Sequence, residues 1–533
     1  MLDVRDVKLP LEETLQEKEA LQRALCKRLR VPQEAILSLQ ILKESVDARK
    51  KDRIFILYRL LVRLAPGVRL RGTPPGVTPY APEPQPALLI GGEPLNGPVV
   101  IAGFGPAGLF AALTLARSGY APLVLERGED VEARTQKVEA FWAGGALDPE
   151  SNVQFGEGGA GTFSDGKLTT RIRDPRVQGI LEDFVRAGAP EEIHYRNKPH
   201  VGTDLLKGVV RSLREAMIEA GGRILFTTRL EDLAARDGRL QEAKWGGQWH
   251  RVGALVLCPG HSARDTYEML WARGVPLEAK SFAVGLRVEH LQEAIDACQY
   301  GQWAHHPKLR ASEYTLAGRT GARRGVYSFC MCPGGQVVNA SSEAGRLCVN
   351  GMSYHARDRR QANSALVVSV GPEDFGPLPL SAITFQRQLE EKAYQMGQGK
   401  DWAPVQRTCD FLEGTLTQRF EGVYPEVSPG FTSAPLHELL PEVLTQGLRD
   451  GLRLFGRRIR GFDSQGVLTG VESRTSAPLR ILRGEGFFSP GFEGLYPCGE
   501  GAGYAGGIVS AAVDGVRIAQ ALMARYAPSP PLI

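Results

Sequence analysis

Between Val99 and Arg127 the chain reads VVIAGFGPAGLFAALTLARSGYAPLVLER: an apolar strand, glycines 103, 105 and 108 in GxGxxG spacing, a helix, and a second apolar run ending in Glu126. A dinucleotide pyrophosphate needs such spacing. Gly103 permits a tight turn, Gly105 lets main chain approach the phosphates, and Gly108 lets the helix close on the strand. Pro106 and Ala107 open the helix, where proline loses no hydrogen bond and the free N–H groups face an anion. Glu126, about 20 residues on, is placed to accept both hydroxyls of a ribose, with Arg127 beside it.

The fingerprint does not separate NAD from FAD, but the far end of the chain does. Gly494 to Gln520 reads GLYPCGEGAGYAGGIVSAAVDGVRIAQ, a short strand, an acid between glycines and a small-residue helix. FAD needs a second segment of this kind, whereas NAD alone does not. Glu500 is expected to accept from the ribityl chain, and Gly499, Gly501 and Ala502 to close on the second phosphate. Gly506 and Gly507 start a helix whose positive end would face the flavin N1/O2 edge. In GEGGAGTFSDGKL, glycines 156, 158, 159 and 161, with Thr162, leave room for a flat ring, and Ser164 and Lys167 can reach its polar edge. So many glycines carry an entropic cost that a plain loop would not repay. Leu230, at the end of ILFTTRL, is the expected main-chain contact to adenine.

These pieces, with SNVQFGEGGAGTFSDGKLTTR (Ser151 to Arg171), SFCMCPGG (Ser328 to Gly335), NGMSYHARD (Asn350 to Asp358), NSALVVSV (Asn363 to Val370), GVESRTSAPLRILR (Gly470 to Arg483) and LYPCGEGAGYAGGIVSAAVDG (Leu495 to Gly515), carry a family resemblance. The chain resembles, over nearly its whole length, the bacterial uncharacterized FAD-dependent dehydrogenase family, within the glutathione-reductase-like FAD/NAD(P)-binding oxidoreductase superfamily. The resemblance implies FAD as cofactor and no particular substrate. It also implies that Arg134 contacts phosphate and that ALVLCPGHSARD (Ala254 to Asp265) returns the chain to the cofactor at Gly260. Leu291 in VEHLQ stands where the family is expected to read VEHPQ, which touches only a local turn.

Hydride transfer belongs to the flavin, so the protein must add orientation, exclusion of water and a proton donor or acceptor. Candidates are Tyr354, His355 and Arg357 in GMSYHARD, Arg474, Thr475 and Ser476 in ESRTSAP, and His261 after the CPG turn, a histidine being the side chain nearest neutrality in its free pKa. Tyr354, His355 and His261 are the expected catalytic residues. The eight cysteines contain no CxxC or CxxxxC pair, and no metal-ligand spacing stands out. Cys330 and Cys332 form the one close pair; on a strand over Val326 to Cys332 both thiols would share a face, suiting a redox relay, a soft metal or simply a small core.

The elements that must position these residues fill 533 residues, too many for one ordinary domain. Residues 1–70 read as a small α+β domain of βαββ pattern, with Leu21, Leu25 and Leu29 at helical spacing. Residues 71–96 are a Pro- and Gly-rich linker. The FAD-binding domain is expected over 97–279 and 486–526, and a mainly antiparallel substrate domain over 280–485, joined by a helix within HELLPEVLTQGLRDGLRLFGRRI. The fold class is therefore α/β: a Rossmann-like FAD-binding domain with an inserted antiparallel β domain and a small N-terminal α+β domain.

Lys plus Arg number 64 against 60 for Asp plus Glu, a net of +4, so no strong nucleic-acid field is expected. Neither a signal peptide nor a membrane-spanning run is legible, which reads as a cytoplasmic protein without a membrane partner. A small-molecule substrate is expected. No second glycine fingerprint announces an NAD(P)H domain, so a nicotinamide would bind only transiently. Two other readings stay open: an FAD-dependent RNA-modifying protein touching RNA through SVDARKK, and a flavin-binding protein without turnover. Nothing in the sequence sets an oligomeric state.

Overall fold

A computed structural model of the chain describes residues 1–528 apart from Arg71, Thr73, Glu83 and Gln85. Those four lie outside the described residues of the stretch 71–96 expected to be a linker, within which Val77–Pro79 instead forms a strand paired with residues 2–4 in the N-terminal sheet. The apolar runs at the glycine fingerprint build a five-stranded parallel sheet in the order Leu495–Pro497, Ala254–Leu257, Val99–Ala102, Leu123–Leu125, Arg223–Leu225. Four of the strands are apolar almost throughout, because helices cover one face and a β layer the other. The helices Pro106–Arg117, Thr203–Glu219 and Ile508–Arg525 share one core with the sheet, and the antiparallel strands Asp232–Arg236, Arg239–Trp245 and Gln248–Arg251 pack with the helix Arg264–Ala272 into a second. The central strand Val99–Ala102 and the C-terminal strand Leu495–Pro497 flank Ala254–Leu257 on its two sides. Two stretches about 400 residues apart in sequence thus end at the same carboxyl edge of one sheet.

Between Leu277–Ala279 and its antiparallel partner Leu479–Ile481 the chain leaves the parallel sheet and builds another. Seven strands run in the order Leu316–Arg319, Gly325–Cys332, Gln361–Val370, Phe282–Leu291, Val467–Glu472, Ala403–Arg407, Phe431–Ser433, all antiparallel pairs except the last. The helix Glu442–Gly456 lays Leu444, Leu448, Leu452 and Phe455 onto this sheet, a spacing of four and three residues that keeps one stripe inward. At the N-terminus, Leu2–Pro10, Glu17–Leu29, Ile36–Asp47 and Phe55–Leu64 form the βαββ unit, with Leu21, Leu25 and Leu29 buried against its sheet.

The helix Ile508–Arg525 lies against Pro106–Arg117 so closely that a Cβ on Gly515 would stand 2.1 Å from the Ala107 carbonyl oxygen. This contact fixes where the first turn of the fingerprint helix sits. Gly515→Ala is expected to cost about 1–3 kcal/mol in chemical denaturation, through main-chain displacement in a packed core, and to lower flavin retention with it. Unchanged stability would mean the two helices separate freely.

Candidate functional site

A cavity of about 380 Å³ opens at the carboxyl edge of the parallel sheet, and the antiparallel sheet forms its far wall. From the parallel-sheet domain it takes Gly103, Gly105, Pro106, Ala107, Glu126, Arg127, Gly159, Gly161, Ser164, Lys167, Leu230, Gly260, His261, Glu500, Gly501, Gly506 and Gly507; from the inserted sheet it takes Phe329, Cys330, Cys332, Asn350, Gly351, Glu472, Arg474 and Thr475.

The phosphate end is built from main chain. Gly103 has φ +98°, and a Cβ there would meet the Cys258 carbonyl oxygen at 2.2 Å, so only glycine lets the two strand ends lie side by side. Gly108 lies outside the cavity and serves packing instead, a Cβ there falling 1.9 Å from the Gly103 carbonyl oxygen. The first hydrogen bond of the helix runs from the Leu109 N–H to the Gly105 carbonyl at 2.9 Å, which leaves the Ala107 and Gly108 N–H groups open at its positive end. Glu126 accepts from the Phe104 N–H at 2.7 Å, the Gly128 N–H at 2.9 Å and the Gly156 N–H at 3.0 Å. Three of about four acceptor positions are then taken. It can offer one to a ribose, fewer than the two hydroxyls expected. The Leu230 N–H makes no hydrogen bond among the described residues, as a main-chain contact to adenine requires. Arg127 is held by Asp265 and Glu150, both at 3.0 Å, and lies over the Phe155 ring.

Several expected contacts are not made. Arg134 is fully buried and does not reach the cavity: its guanidinium donates to the carbonyls of Asn152, Val153, Gly156 and Glu157, bracing the glycine-rich loop from behind. Burial pushes it down to about 10, against the pull of Glu126 and Glu157. Gly158 and Thr162 face each other behind that loop rather than the cavity. Gly499 gives its N–H to the Asp514 carboxylate at 2.8 Å, and Ala502 is buried under the loop, so neither is open to a phosphate. Tyr354 is 39% exposed outside the cavity. His355 stacks on His200 at 5.1 Å, with Nδ1 on the Val201 carbonyl at 3.0 Å and its main-chain N–H on Asp204, and so fastens the inserted sheet to the helix Thr203–Glu219. Neither residue lines the cavity.

His261 lines the cavity, with Nδ1 on the Ser262 hydroxyl at 2.9 Å, and Ser262 donates to Gln154 at 3.2 Å. Nε2 has no partner among the described residues. Burial, then the charges of Arg474 and Arg264, push its pKa down to about 4, so the ring is neutral at pH 7. Those two guanidiniums grip Glu390 bidentately from opposite sides at 2.7–2.9 Å, a group assembled from residues 264, 390 and 474 that spacing could not announce. Glu500 lines the cavity with no hydrogen bond to its carboxylate among the described residues, and burial holds its pKa up at about 7 against the pull of Lys280. Gln154, Asp165, Asn350 and Glu472 also line the cavity and had no distinguishing signal of their own in the sequence.

The residues present fit FAD: a helix N-terminus for the pyrophosphate, an open amide at Leu230, and an unsatisfied acid at Glu500 for a polyol. Residues 281–475 match the family described as FAD-dependent protein, C-terminal domain-like, and residues 1–63 match a domain of unknown function. An uncharacterized protein of Clostridium beijerinckii is 47% identical over 528 residues, 98% of each chain. Among solved structures, CtdE in complex with FAD (12% identity, 81% of this chain and 84% of that one, TM-score 0.31) and a geranylgeranyl bacteriochlorophyll reductase-like protein of Thermoplasma acidophilum (12%, 79% and 77%, 0.33) are similar to parts of the chain. FAD is the cofactor of this chain.

Glu500 gives a signed pH dependence. Its raised pKa means that the folded cofactor-free protein favours the protonated acid; that stability is full below about pH 4.5 and is lost as pH rises through 7. Glu500→Gln is therefore expected to stabilise the cofactor-free protein by about 2 kcal/mol at pH 8, after discounting for water in the cavity, and not at pH 4.5. The same variant should bind FAD about tenfold more weakly, through loss of charge-assisted acceptance. Thermal denaturation at the two pH values and flavin fluorescence titration check this; equal stabilisation at both would remove the argument.

Proposed function

This chain belongs to the family of the Clostridium beijerinckii protein, and we propose that it is a flavin-dependent oxidoreductase that oxidises a small molecule by hydride transfer. The observation that carries this reading is one cavity shared by two walls: main-chain phosphate cradle and Glu500 on one side, a polar face of the antiparallel sheet on the other. The arrangement supports the glutathione-reductase-like class, in which a second segment far along the chain completes the FAD site. Bound FAD would supply the two-electron chemistry.

The chain's own residues supply the rest. Gly105, Ala107 and the open N–H groups of the fingerprint helix would hold the pyrophosphate, Glu126 and Leu230 the adenosine, and Glu500 the ribityl chain, while Gly506 and Gly507 begin a helix whose positive end faces the cavity. Lys167 stays cationic, since burial, which would lower its pKa, is outweighed by Asp165. Substrate binds against the inserted sheet, where Arg474 and Thr475 reach the cavity. His261, neutral with a free Nε2, takes the proton that the substrate loses as it is oxidised. Among the described residues there is one parallel sheet of this kind, so a nicotinamide, where one serves, shares the same cavity.

Purified protein should be yellow, with flavin absorbance lost on anaerobic reduction by its substrate; a colourless protein that does not take up FAD would end this reading. His261→Ala should retain flavin yet slow its reduction about 10²–10⁴-fold with little change in KM. Because the neutral ring is the active form, the wild-type rate should hold through neutral pH and fall only toward about pH 4.

A further inference from the structure

The strand Gly325–Cys332 breaks its pairing where it meets the cavity. Its register steps from Phe329 opposite Ala365 to Cys332 opposite Asn363, three residues advancing against two, and Cys330 sits at φ +48° in the left-handed region. A β-bulge that holds a non-glycine residue there is a strained feature of the kind found next to active sites. The break turns the simple alternation of a strand aside, yet both thiols still line the cavity: Cys330 is reached by solvent through it, while Cys332 is buried behind.

Two cations fix the segment between them. Arg287 donates to the Cys330 carbonyl at 2.8 Å and stands 3.6 Å from the Cys332 sulfur; Lys167, carried by the glycine-rich loop across the cavity, donates to the Met331 carbonyl. The carbonyls of Cys330 and Met331 thus bond to side-chain cations from both sides of the cavity. Burial raises both thiols, Cys330 to about 11, with Lys167 opposing, so the thiols are protonated at rest and the cations stand ready to hold a thiolate when one forms.

We propose that Cys330 and Cys332 cycle between dithiol and disulfide in exchange with the bound flavin, and that the substrate class is a small dithiol; this rests on the flavin reading above. A substrate thiolate attacks the disulfide at the accessible Cys330 sulfur, breaking the S–S bond and releasing Cys332 as a thiolate beside Arg287. The second substrate thiol then displaces Cys330, closing the substrate disulfide and leaving the protein pair as a dithiol. The pair next loses two electrons and two protons to oxidised FAD, an S–S bond re-forming as the flavin takes up both. Electrons and protons balance: one dithiol is oxidised and one FAD reduced.

The test uses holoenzyme oxidised with diamide, desalted and titrated anaerobically with dithionite. Wild type should consume about four electrons per flavin, two for the cofactor and two for the disulfide, and Cys332→Ser about two. Peptide mapping after differential alkylation should recover Cys330 joined to Cys332 in oxidised wild type, and dithiothreitol should bleach the flavin of wild type but not of Cys330→Ser or Cys332→Ser. Yellow wild-type protein that takes about two electrons, with both cysteines alkylated as free thiols, overturns the proposal and leaves the flavin reading standing. A colourless protein defeats both.

Discussion

The molecule depends on main chain meeting main chain at the carboxyl edge of the parallel sheet. The turn after Val99–Ala102 lies against the end of Ala254–Leu257, and the loop after Leu495–Pro497 lies against the turn at Gly260, at distances that leave no room for a Cβ on Gly103 or Gly501. Closeness brings the amides together. A pyrophosphate is recognised by N–H groups that already point at it, and only strands in adjacent register can aim groups from residues near 105 and near 505 into one space. Glu126 serves the same geometry from below: by accepting three N–H groups it ties the fingerprint turn to the glycine-rich loop, so that ligand capacity and loop position come from one carboxylate.

The opposite wall follows a different rule. Its charges are buried in pairs and clusters, Arg287 with Glu472 at 2.9 Å, Arg264 and Arg474 with Glu390, Arg357 with Asp165, and each cation is offset where it stands. Breaking one such pair would strand a charge in a low-dielectric interior, at about 3–5 kcal/mol. The clusters also join elements far apart in the chain, Asp165 of the glycine-rich loop to Arg357 of the inserted sheet among them. That link and the His200–His355 stack tie the two walls of the cavity together.

How much of this was legible in the sequence follows from how local the signal is. The fingerprint, the C-terminal segment and the small N-terminal unit could be read because strand, glycine spacing and helix are contiguous, and the structure puts Gly103, Glu126 and Glu500 around one cavity. The family resemblance implied a phosphate contact for Arg134, whereas its buried guanidinium is taken up by four carbonyl acceptors, which no local pattern announces. Tyr354 and His355 were misplaced because a loop of polar residues carries no sign of which face it turns to the cavity. The Glu390 group was invisible: its members lie 84 and 126 residues from one another, and only the fold brings them together. The bulge at Cys330 was hidden too, since a strand pattern predicts alternation and cannot show where it is interrupted.

The ionisable groups that line the cavity divide into those with an ion-pair partner among the described residues and those without. Lys167, Arg287 and Arg474 already have carboxylates, and Asp165 and Glu472 already have cations, so each of these charges is offset in the resting site. Glu500 and His261 have no such partners, and burial drives both toward neutrality, one by raising a carboxyl pKa and the other by lowering an imidazole pKa. Both stand on the parallel-sheet wall, where the turn at Gly260 packs on Gly501, and only a proton passed from the acid to the base would leave the net charge of the site unchanged. Hydrogen bonds from a polyol would favour the ionised form of Glu500 and pull its pKa down, while His261 keeps its own hydrogen bond to Ser262 and its low pKa, set by burial and by Arg474 and Arg264.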